Sequence, residues 1–183
     1  MALKYKITDQ QAFYFVTFTI VNWIDIFTRD NYRQIFIDSV KYCQKNKGLL
    51  VSSWVIMTNH VHMIIGTNGN KLEDIIRDLK SYTSRHIRLE LENCIYESRK
   101  EWIMTMLKKA GYNNTNNNDF QLWQQDNHPI EMSRSEMMIQ RVNYIHNNPV
   151  KAGFVIDPAH WKWSSAYDYS GGTQGLIDLV MSI

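Results

Sequence analysis

The stretch from Trp54 to Gly66, WVIMTNHVHMIIG, constrains the fold of this chain more than any other part of its sequence. It is largely apolar and rich in Val and Ile, which is typical of a buried strand or a pair of strands. Two histidines, His60 and His62, interrupt it with a single residue between them. Because side chains alternate along a strand, both imidazoles are predicted to leave the same face, while Val61 and Met63 point into a core.

Two imidazoles on one rigid strand form half of a metal site, since imidazole is a ligand for many divalent ions. A second interpretation stays open, in which both histidines are hydrogen-bonded polar residues of an edge strand. The pair alone therefore predicts no function, because a reaction also needs a third ligand and a nucleophile.

The chain is long enough, with 183 residues of which 44% are hydrophobic, for one domain with a sizeable core. Its net charge of +2 excludes no nucleic-acid function, because a local basic stripe matters more than the sum. Cys43 and Cys94 fit neither a disulfide framework nor a zinc motif, so we interpret both as free thiols. No apolar run approaches a membrane span and no signal-peptide pattern is present, so we expect a cytoplasmic protein.

Hydrophobic periodicity predicts strands and helices in a mixed order along the chain. The predicted strands cover residues 12–21, 49–57, the histidine-bearing segment and 120–123, and the predicted helices cover residues 31–46, 71–91, 94–112 and 134–147. Ser133 and Glu136 have the spacing of a capping box, and Pro149 is predicted to stop the last helix. The polar run 113–119 is predicted to be a loop.

The last predicted helix contains a second pair of chemically useful side chains. Tyr144 and Asn148 are four residues apart and therefore share one helix face. If this face docks on His60 and His62, Asn148 becomes the third metal ligand and Tyr144 lies beside the metal. Mixed nitrogen and oxygen ligands with open positions favour Mn²⁺ or Mg²⁺ over a closed structural Zn²⁺. Alternatively, Tyr144 is a core aromatic and Asn148 a helix C-cap.

Such a site predicts phosphodiester chemistry. A metal with open positions draws charge off a bound phosphate, which makes the phosphorus a better electrophile. Attack by the tyrosine hydroxyl would give a covalent phosphotyrosine and release a 3′ hydroxyl. Because that bond keeps the energy of the phosphodiester, the reaction can run back onto another strand.

A basic stripe lies on the predicted helix 71–91. Its residues are either a solvated face or a surface that contacts DNA phosphates. The DNA-binding candidates are Arg77, Lys80, Tyr82, Arg85 and Arg88. His128, in the predicted loop 124–132, is an auxiliary candidate for proton transfer or DNA contact, and nothing favours either role.

Three segments together resemble a known family. His60-Val61-His62 resembles the HUH motif (His, hydrophobic, His) of single-tyrosine transposases of the insertion-sequence type. The segment from Tyr144 to Val150, followed by Lys151-Ala152-Gly153, resembles the part that carries the catalytic tyrosine in that family. Trp163-Ser164-Ser165 followed by Tyr167 resembles the tail of its REP-associated branch.

The resemblance implies an α+β fold of the ferredoxin/RRM-like type, an antiparallel sheet with helices packed on it. It also implies one active site that contains His60, His62, Tyr144, the third ligand Asn148 and a divalent metal, Mg²⁺ or Mn²⁺. The expected partner is single-stranded DNA with a hairpin, cleaved through a 5′-phosphotyrosine link. We expect one domain over residues 1–183, in which 92–119 is a candidate insertion and 170–183 a tail.

Several alternatives stay open at the level of sequence. A homodimer that exchanges the tyrosine helix and a monomer are both compatible with the resemblance. A metal phosphoesterase would use a bound water in place of Tyr144. A domesticated hairpin-binding protein would use the basic stripe and exposed aromatics without any chemistry.

Overall fold

The computed structural model describes residues 6–114, 119–172 and 175–180 and places a four-stranded antiparallel sheet at the centre. The strands are β1 (Tyr14–Thr19), β2 (Leu49–Ile56), β3 (His60–Thr67) and β4 (Ile130–Glu131). They lie in the order β2-β3-β1-β4. The helices are α1 (Asp30–Lys47), α2 (Leu72–Asn93), α3 (Lys100–Tyr112), α4 (Ser135–Lys151) and α5 (Ala166–Tyr169). This arrangement confirms the predicted α+β fold with an antiparallel sheet.

The apolar stretch around the two histidines is a pair of strands. Strands β2 and β3 form a tight hairpin in which Ile56 pairs with Val61. Strand β1 pairs with the other side of β3 and sets Thr17 opposite His62. Because β3 is hydrogen-bonded on both sides, the edge-strand interpretation of the histidines is wrong, and their backbone is held rigidly.

One face of the sheet carries the larger core. The side chains of Val61, Met63 and Ile65 point to this face, as the alternation predicts, and are buried against α1, α2 and α3. Helix α1 ends at Gly48, whose φ of 74° is the left-handed conformation that closes many helices. Helix α2 confirms the long helix predicted over residues 71–91.

The other face of the sheet is covered by α4. A second cluster of buried residues joins Phe15, Val55 and Ile64 of the sheet to Val142 and Ile145 of α4. The two histidines lie on this face, because they alternate with the core-facing residues of β3. Helix α4 therefore docks on the sheet face that carries His60 and His62, which the metal-site prediction required.

The predicted cap and the predicted C-terminal end of α4 are wrong. Its N-cap is Arg134 and no side chain caps it, so Ser133 is not the N-cap and the predicted capping box with Glu136 does not form. The helix also continues through Pro149 to Lys151. Proline removes only one donor there, because the amide of Ala152 still donates to the carbonyl of Asn148 at 3.0 Å.

Smaller differences concern the second half of the chain. Residues 120–123 form one isolated bridge, between Trp123 and Ile20, in place of the predicted strand. Residues 94–99 precede α3 without helical structure. In the tail, Val180 donates its amide to the carbonyl of Val51 at 2.8 Å, so this part follows the sheet edge and is not helical. Residues 115–118 of the predicted loop lie outside the described residues, and the predicted domain limits stay a prediction.

Candidate metal and tyrosine site

His60 and His62 leave β3 on the same face, with their ring centroids 4.6 Å apart. Each ring is anchored through Nδ1. Thr17 Oγ1 lies 2.9 Å from Nδ1 of His62, and Asn59 Oδ1 lies 2.7 Å from Nδ1 of His60. An imidazole that donates from Nδ1 keeps a lone pair on Nε2, so both rings are oriented to offer Nε2 to a metal.

Burial keeps both imidazoles neutral. Burial, together with the charges of His60 and Arg141, lowers the pKa of His62 to about 3. Burial also lowers the pKa of His60, against a hydrogen bond with Asn148 that raises it. Neutral imidazole is the form that binds a metal, so the pair is in its ligating state at neutral pH.

The tyrosine half of the site comes from α4, where Tyr144 follows His62 by 82 residues in the chain. Tyr144 Oη lies 3.4 Å from Nε2 of His62. The Asn148 side chain hydrogen-bonds with His60 and also donates to the carbonyl of Tyr144 at 3.4 Å. The Tyr144 side chain is 36% exposed, so its hydroxyl is accessible and the residue is not a core aromatic.

The chemistry of this donor set fits a divalent metal. Within residues 6–114, 119–172 and 175–180, no three His, Cys, Asp or Glu side chains cluster to hold an ion. The available ligands are therefore two imidazole nitrogens and the amide oxygen of Asn148. Such a set leaves open coordination positions, as Mn²⁺ or Mg²⁺ bound to a phosphate requires.

Two cations beside Tyr144 were missed by sequence reasoning. The guanidinium of Arg141 lies 5.8 Å from the centre of the Tyr144 ring and 4.8 Å from that of Phe15. The ammonium of Lys151 lies 5.6 Å from the Tyr144 ring. In the part of the chain that the structure describes, neither forms an ion pair. Positions three before and seven after a helical residue share its face, so helical spacing would have predicted that Arg141 and Lys151 lie beside Tyr144.

The Trp163-Ser164-Ser165 segment holds α4 on the sheet. His146 Nε2 lies 2.8 Å from the hydroxyl of Ser165, and this hydroxyl accepts from the amide of Trp54 at 2.9 Å. Burial lowers the pKa of His146 to about 4, so the ring is neutral in this contact. The motif therefore has a structural role, which is to hold the Tyr144 helix against β2.

The predicted DNA-binding residues of α2 lie on the opposite side of the sheet from the histidines. Arg77, Lys80, Arg85 and Arg88 line one groove of about 780 Å³ together with residues of the 119–127 segment. Tyr82 lies instead in a groove between α1 and α2 and stacks on His86 at 3.8 Å. Contact between these residues and DNA stays a prediction.

Most cations of this groove have protein partners. Arg77 pairs with Asp74 and Asp78, and Arg88 pairs with Glu92 and Asp119. The ammonium of Lys80 donates to the carbonyls of Gln124 and Gln125 at 2.6 and 3.2 Å, and burial lowers its pKa to about 8. Lys80 thus holds a loop in place.

His128 lies on the loop that precedes β4. Its φ of 44° is in the left-handed region, and its Nδ1 lies 3.6 Å from a carboxylate oxygen of Asp126. The side chain is largely exposed, and neither of its predicted roles is tested by this position.

Comparison with known proteins gives one family and a shared fold. Residues 10–105 match the model of the family described as "Transposase IS200 like", a match that contains both histidines and ends before α4. No curated protein matches the chain. Within the described residues, none of the helices has the length and apolarity needed to cross a membrane.

Two solved structures are similar to this one. The structure of a REP-associated tyrosine transposase bound to a REP hairpin has a TM-score of 0.66 and 15% identity, covering 100% of this chain and 94% of that chain. A crystal structure of a Deinococcus radiodurans R1 protein, identified only provisionally as a transposase, has a TM-score of 0.42 and 17% identity. It covers 79% of this chain and 95% of that chain. The first likeness shows a shared fold.

Proposed function

The chain belongs to the IS200-like transposase family, and we propose that it cuts and rejoins single-stranded DNA through Tyr144. The proposed ligands of a divalent ion, Mg²⁺ or Mn²⁺, are His60, His62 and Asn148. The observation that carries the proposal is the 3.4 Å distance between Tyr144 Oη and His62 Nε2. A nucleophile and a metal ligand within this distance can act on the same phosphate.

The proposed reaction exchanges one phosphoester for another. Tyr144 Oη forms a bond to the scissile phosphorus, and the bond from phosphorus to the 3′ oxygen breaks. The phenol proton passes to water, which reaches this half-exposed side chain, and the departing oxygen takes up a proton to become a 3′ hydroxyl. When bound, the ion supplies positive charge to the phosphate oxygens and so stabilises the transition state. The reverse reaction with another 3′ hydroxyl joins strands.

Arg141 and Lys151 are proposed to contact the phosphate. Both lie beside the Tyr144 ring, and neither charge is neutralised by an ion pair among the described residues. A phosphate that approaches Tyr144 brings negative charge into this space, and charge-assisted hydrogen bonds would hold it there. Cations on the nucleophile's own helix move with it, so phosphate and phenol stay aligned.

The proposed substrate carries a hairpin next to the cut. The support is the shared fold with a transposase whose solved structure is bound to a REP hairpin. The groove lined by Arg77, Arg85 and Arg88, on the opposite side of the sheet from the histidines, is a second candidate surface for a DNA backbone. Because all groups of the site come from one chain, we propose that each protomer uses its own Tyr144.

The test uses labelled single-stranded DNA from the flanks of the gene, incubated with the protein and Mn²⁺ or Mg²⁺. We expect a covalent protein–DNA adduct on a denaturing gel, abolished by a chelator and by Tyr144→Phe. Tyr167→Phe, which changes another exposed tyrosine, should leave the adduct intact. DNA cleavage by Tyr144→Phe at the wild-type rate would indicate a bound-water phosphoesterase. Tight binding without cleavage by any form would indicate a DNA-binding protein.

A further inference from the structure

Trp23 is an exposed indole held in an unusual backbone conformation. It ends the short 3-10 turn Val21–Trp23 that follows β1, and 60% of its side chain is exposed. Asn22 and Trp23 have φ values of 57° and 55°, a region that residues with a side chain rarely adopt. Such strained backbone persists only where the surroundings hold it, and it clusters at ligand-binding sites.

The indole lies at the rim of the metal and tyrosine site. Its ring centroid is 6.0 Å from that of His60, and the two planes meet at 70°, an edge contact that leaves an indole face open. Asn59 ties the two residues together. Its amide donates to the carbonyl of Trp23 at 3.3 Å, and its oxygen accepts from Nδ1 of His60 at 2.7 Å. One side chain therefore contacts both the backbone of Trp23 and the ring of a proposed metal ligand.

Single-stranded DNA is bound in other proteins by exposed aromatic rings on which unpaired bases stack. We propose that Trp23 is a stacking platform for the unpaired base next to the phosphate that His60 and His62 position. This inference rests on the proposed function, because it places the scissile phosphate at the histidines. The separation of the two rings is comparable with that of a base and its own phosphate, so one nucleotide can span both.

Stacking also explains why a large apolar ring faces solvent at this position. A base that stacks there would be held before the cut and kept in register with Tyr144. Tyr42 is an aromatic of nearly equal exposure, 59%, on α1 at the opposite face of the sheet from His60, His62 and Tyr144. It provides a matched control.

The test measures binding in the Tyr144→Phe protein, which cannot form the adduct, with Mn²⁺ present. The probe is a fluorescein-labelled hairpin with single-stranded extensions from the flanks of the gene. By anisotropy, we expect Trp23→Ala to weaken binding about 5- to 150-fold, the equivalent of one stacked base. Trp23→Phe should retain most of the affinity, and Tyr42→Ala all of it. Equal binding by Trp23→Ala and Tyr42→Ala would overturn the proposal.

A scan of abasic sites then locates the base. We expect removal of one particular base to weaken binding to the protein that retains Trp23. The same removal should not weaken binding to Trp23→Ala any further. Abasic sites that act equally on both proteins would overturn the proposal. If the alanine variant does not fold, Trp23→Leu keeps the apolar bulk, loses the aromatic face and gives the same comparison. If the wild-type protein forms no adduct but Trp23→Ala still weakens binding, the proposed strand cleavage is refuted and the stacking proposal is not.

Discussion

The two faces of the central sheet use similar residues for different purposes. On the face covered by α1, α2 and α3, most cations of the α2 groove have partners: Arg77 and Arg88 are paired with carboxylates, and Lys80 is buried against carbonyl oxygens. On the face covered by α4, Arg141 and Lys151 lie beside Tyr144 and form no ion pair within the described residues. On this first face, the partnered charged side chains stabilise the fold.

The second face keeps its charges available for a ligand. It also contains two neutral histidines whose Nδ1 atoms have hydrogen-bond partners, and Nε2 of His62 lies 3.4 Å from Tyr144 Oη. The buried apolar cluster on this face is smaller than the core of the first face, and it leaves Tyr144 partly exposed beside the histidines. The contrast shows that a basic residue predicts DNA chemistry only when its partners are known.

The largest effect is expected on removal of a proposed metal ligand. His62→Ala should lower the rate of adduct formation at least about 10³-fold, because an ion contributes several kcal/mol to the transition state. It should also abolish Mn²⁺ binding in titration calorimetry. His86→Ala, on the other face, is the control and should change neither. Adduct formation at the normal rate by His62→Ala would show that the histidine pair has no catalytic role.

The unpaired cations should matter more to the reaction than the paired ones. Arg141→Gln and Lys151→Gln should each slow adduct formation roughly 10- to 100-fold, the value of a hydrogen bond to a charged group. Arg77→Gln should slow it less than about threefold, since its charge is already balanced by Asp74 and Asp78. Single-turnover rates at saturating DNA measure this difference. Equal effects of Arg77→Gln and Arg141→Gln would remove the distinction between the two faces.

A smaller effect is expected at the residue that orients His62. Thr17→Val removes the hydroxyl 2.9 Å from Nδ1 while it keeps the shape of the side chain. We expect Mn²⁺ affinity to fall about tenfold, as is common when the hydrogen-bond partner of a ligating histidine is lost. Thr105→Val on α3 serves as control. An unchanged affinity would mean that packing alone orients the ring.

The first face should respond through stability and its dependence on pH. The side chain of Glu97 is fully buried, and its carboxylate oxygens lie 3.0 Å from Arg29 and from Arg99. Burial raises the pKa of Glu97, but the hydrogen bonds and charges of Arg99 and Arg29 outweigh it, so the pKa is lowered overall. The unfolded chain thus binds this proton at higher pH than the folded one.

The stabilisation by Glu97 should be complete above its unfolded pKa and lost as the pH falls through the lower folded pKa. Glu97→Gln should cost about 1–3 kcal/mol in the free energy of unfolding at pH 7. The variant should lose less stability than the wild type between pH 5 and pH 3, roughly the range around and below the ordinary pKa of Glu. Urea unfolding across this range measures it. Parallel curves for the two proteins would contradict the account, and adduct formation at pH 7 should be unchanged.

The parts of the site that follow from local periodicity could be predicted from the sequence. The period of two on β3 placed His60 and His62 on one face, and the period of the helix joined Tyr144 to Asn148. The sequence could not show that Pro149 lies inside α4, because the hydrogen bond that spans it depends on packing beyond the proline. The partners of Arg77 and Arg88 also depend on rotamers, which periodicity does not specify.

Contacts between distant segments could not be predicted from the sequence either. The hydrogen bond between Thr17 and His62 requires the register of β1 on β3, and the pairing of Glu97 with Arg29 requires the path of residues 94–99. The left-handed backbone of Trp23 has no signal in its residue type, although the Asn22 that precedes it belongs to a type enriched in this conformation. These features arise from tertiary structure that overrides local preference.

The most direct test of the account is to locate the DNA on the protein. The wild-type protein is reacted with its flanking single strand and Mn²⁺, the adduct is trimmed with nuclease and digested with protease, and the peptides are sequenced by mass spectrometry. The chain has ten tyrosines, and we predict a nucleotide mass on Tyr144 alone. A nucleotide on any other residue, or cleaved DNA without a modified peptide, would contradict the claim that the tyrosine of α4 and the histidines of β3 form one active site.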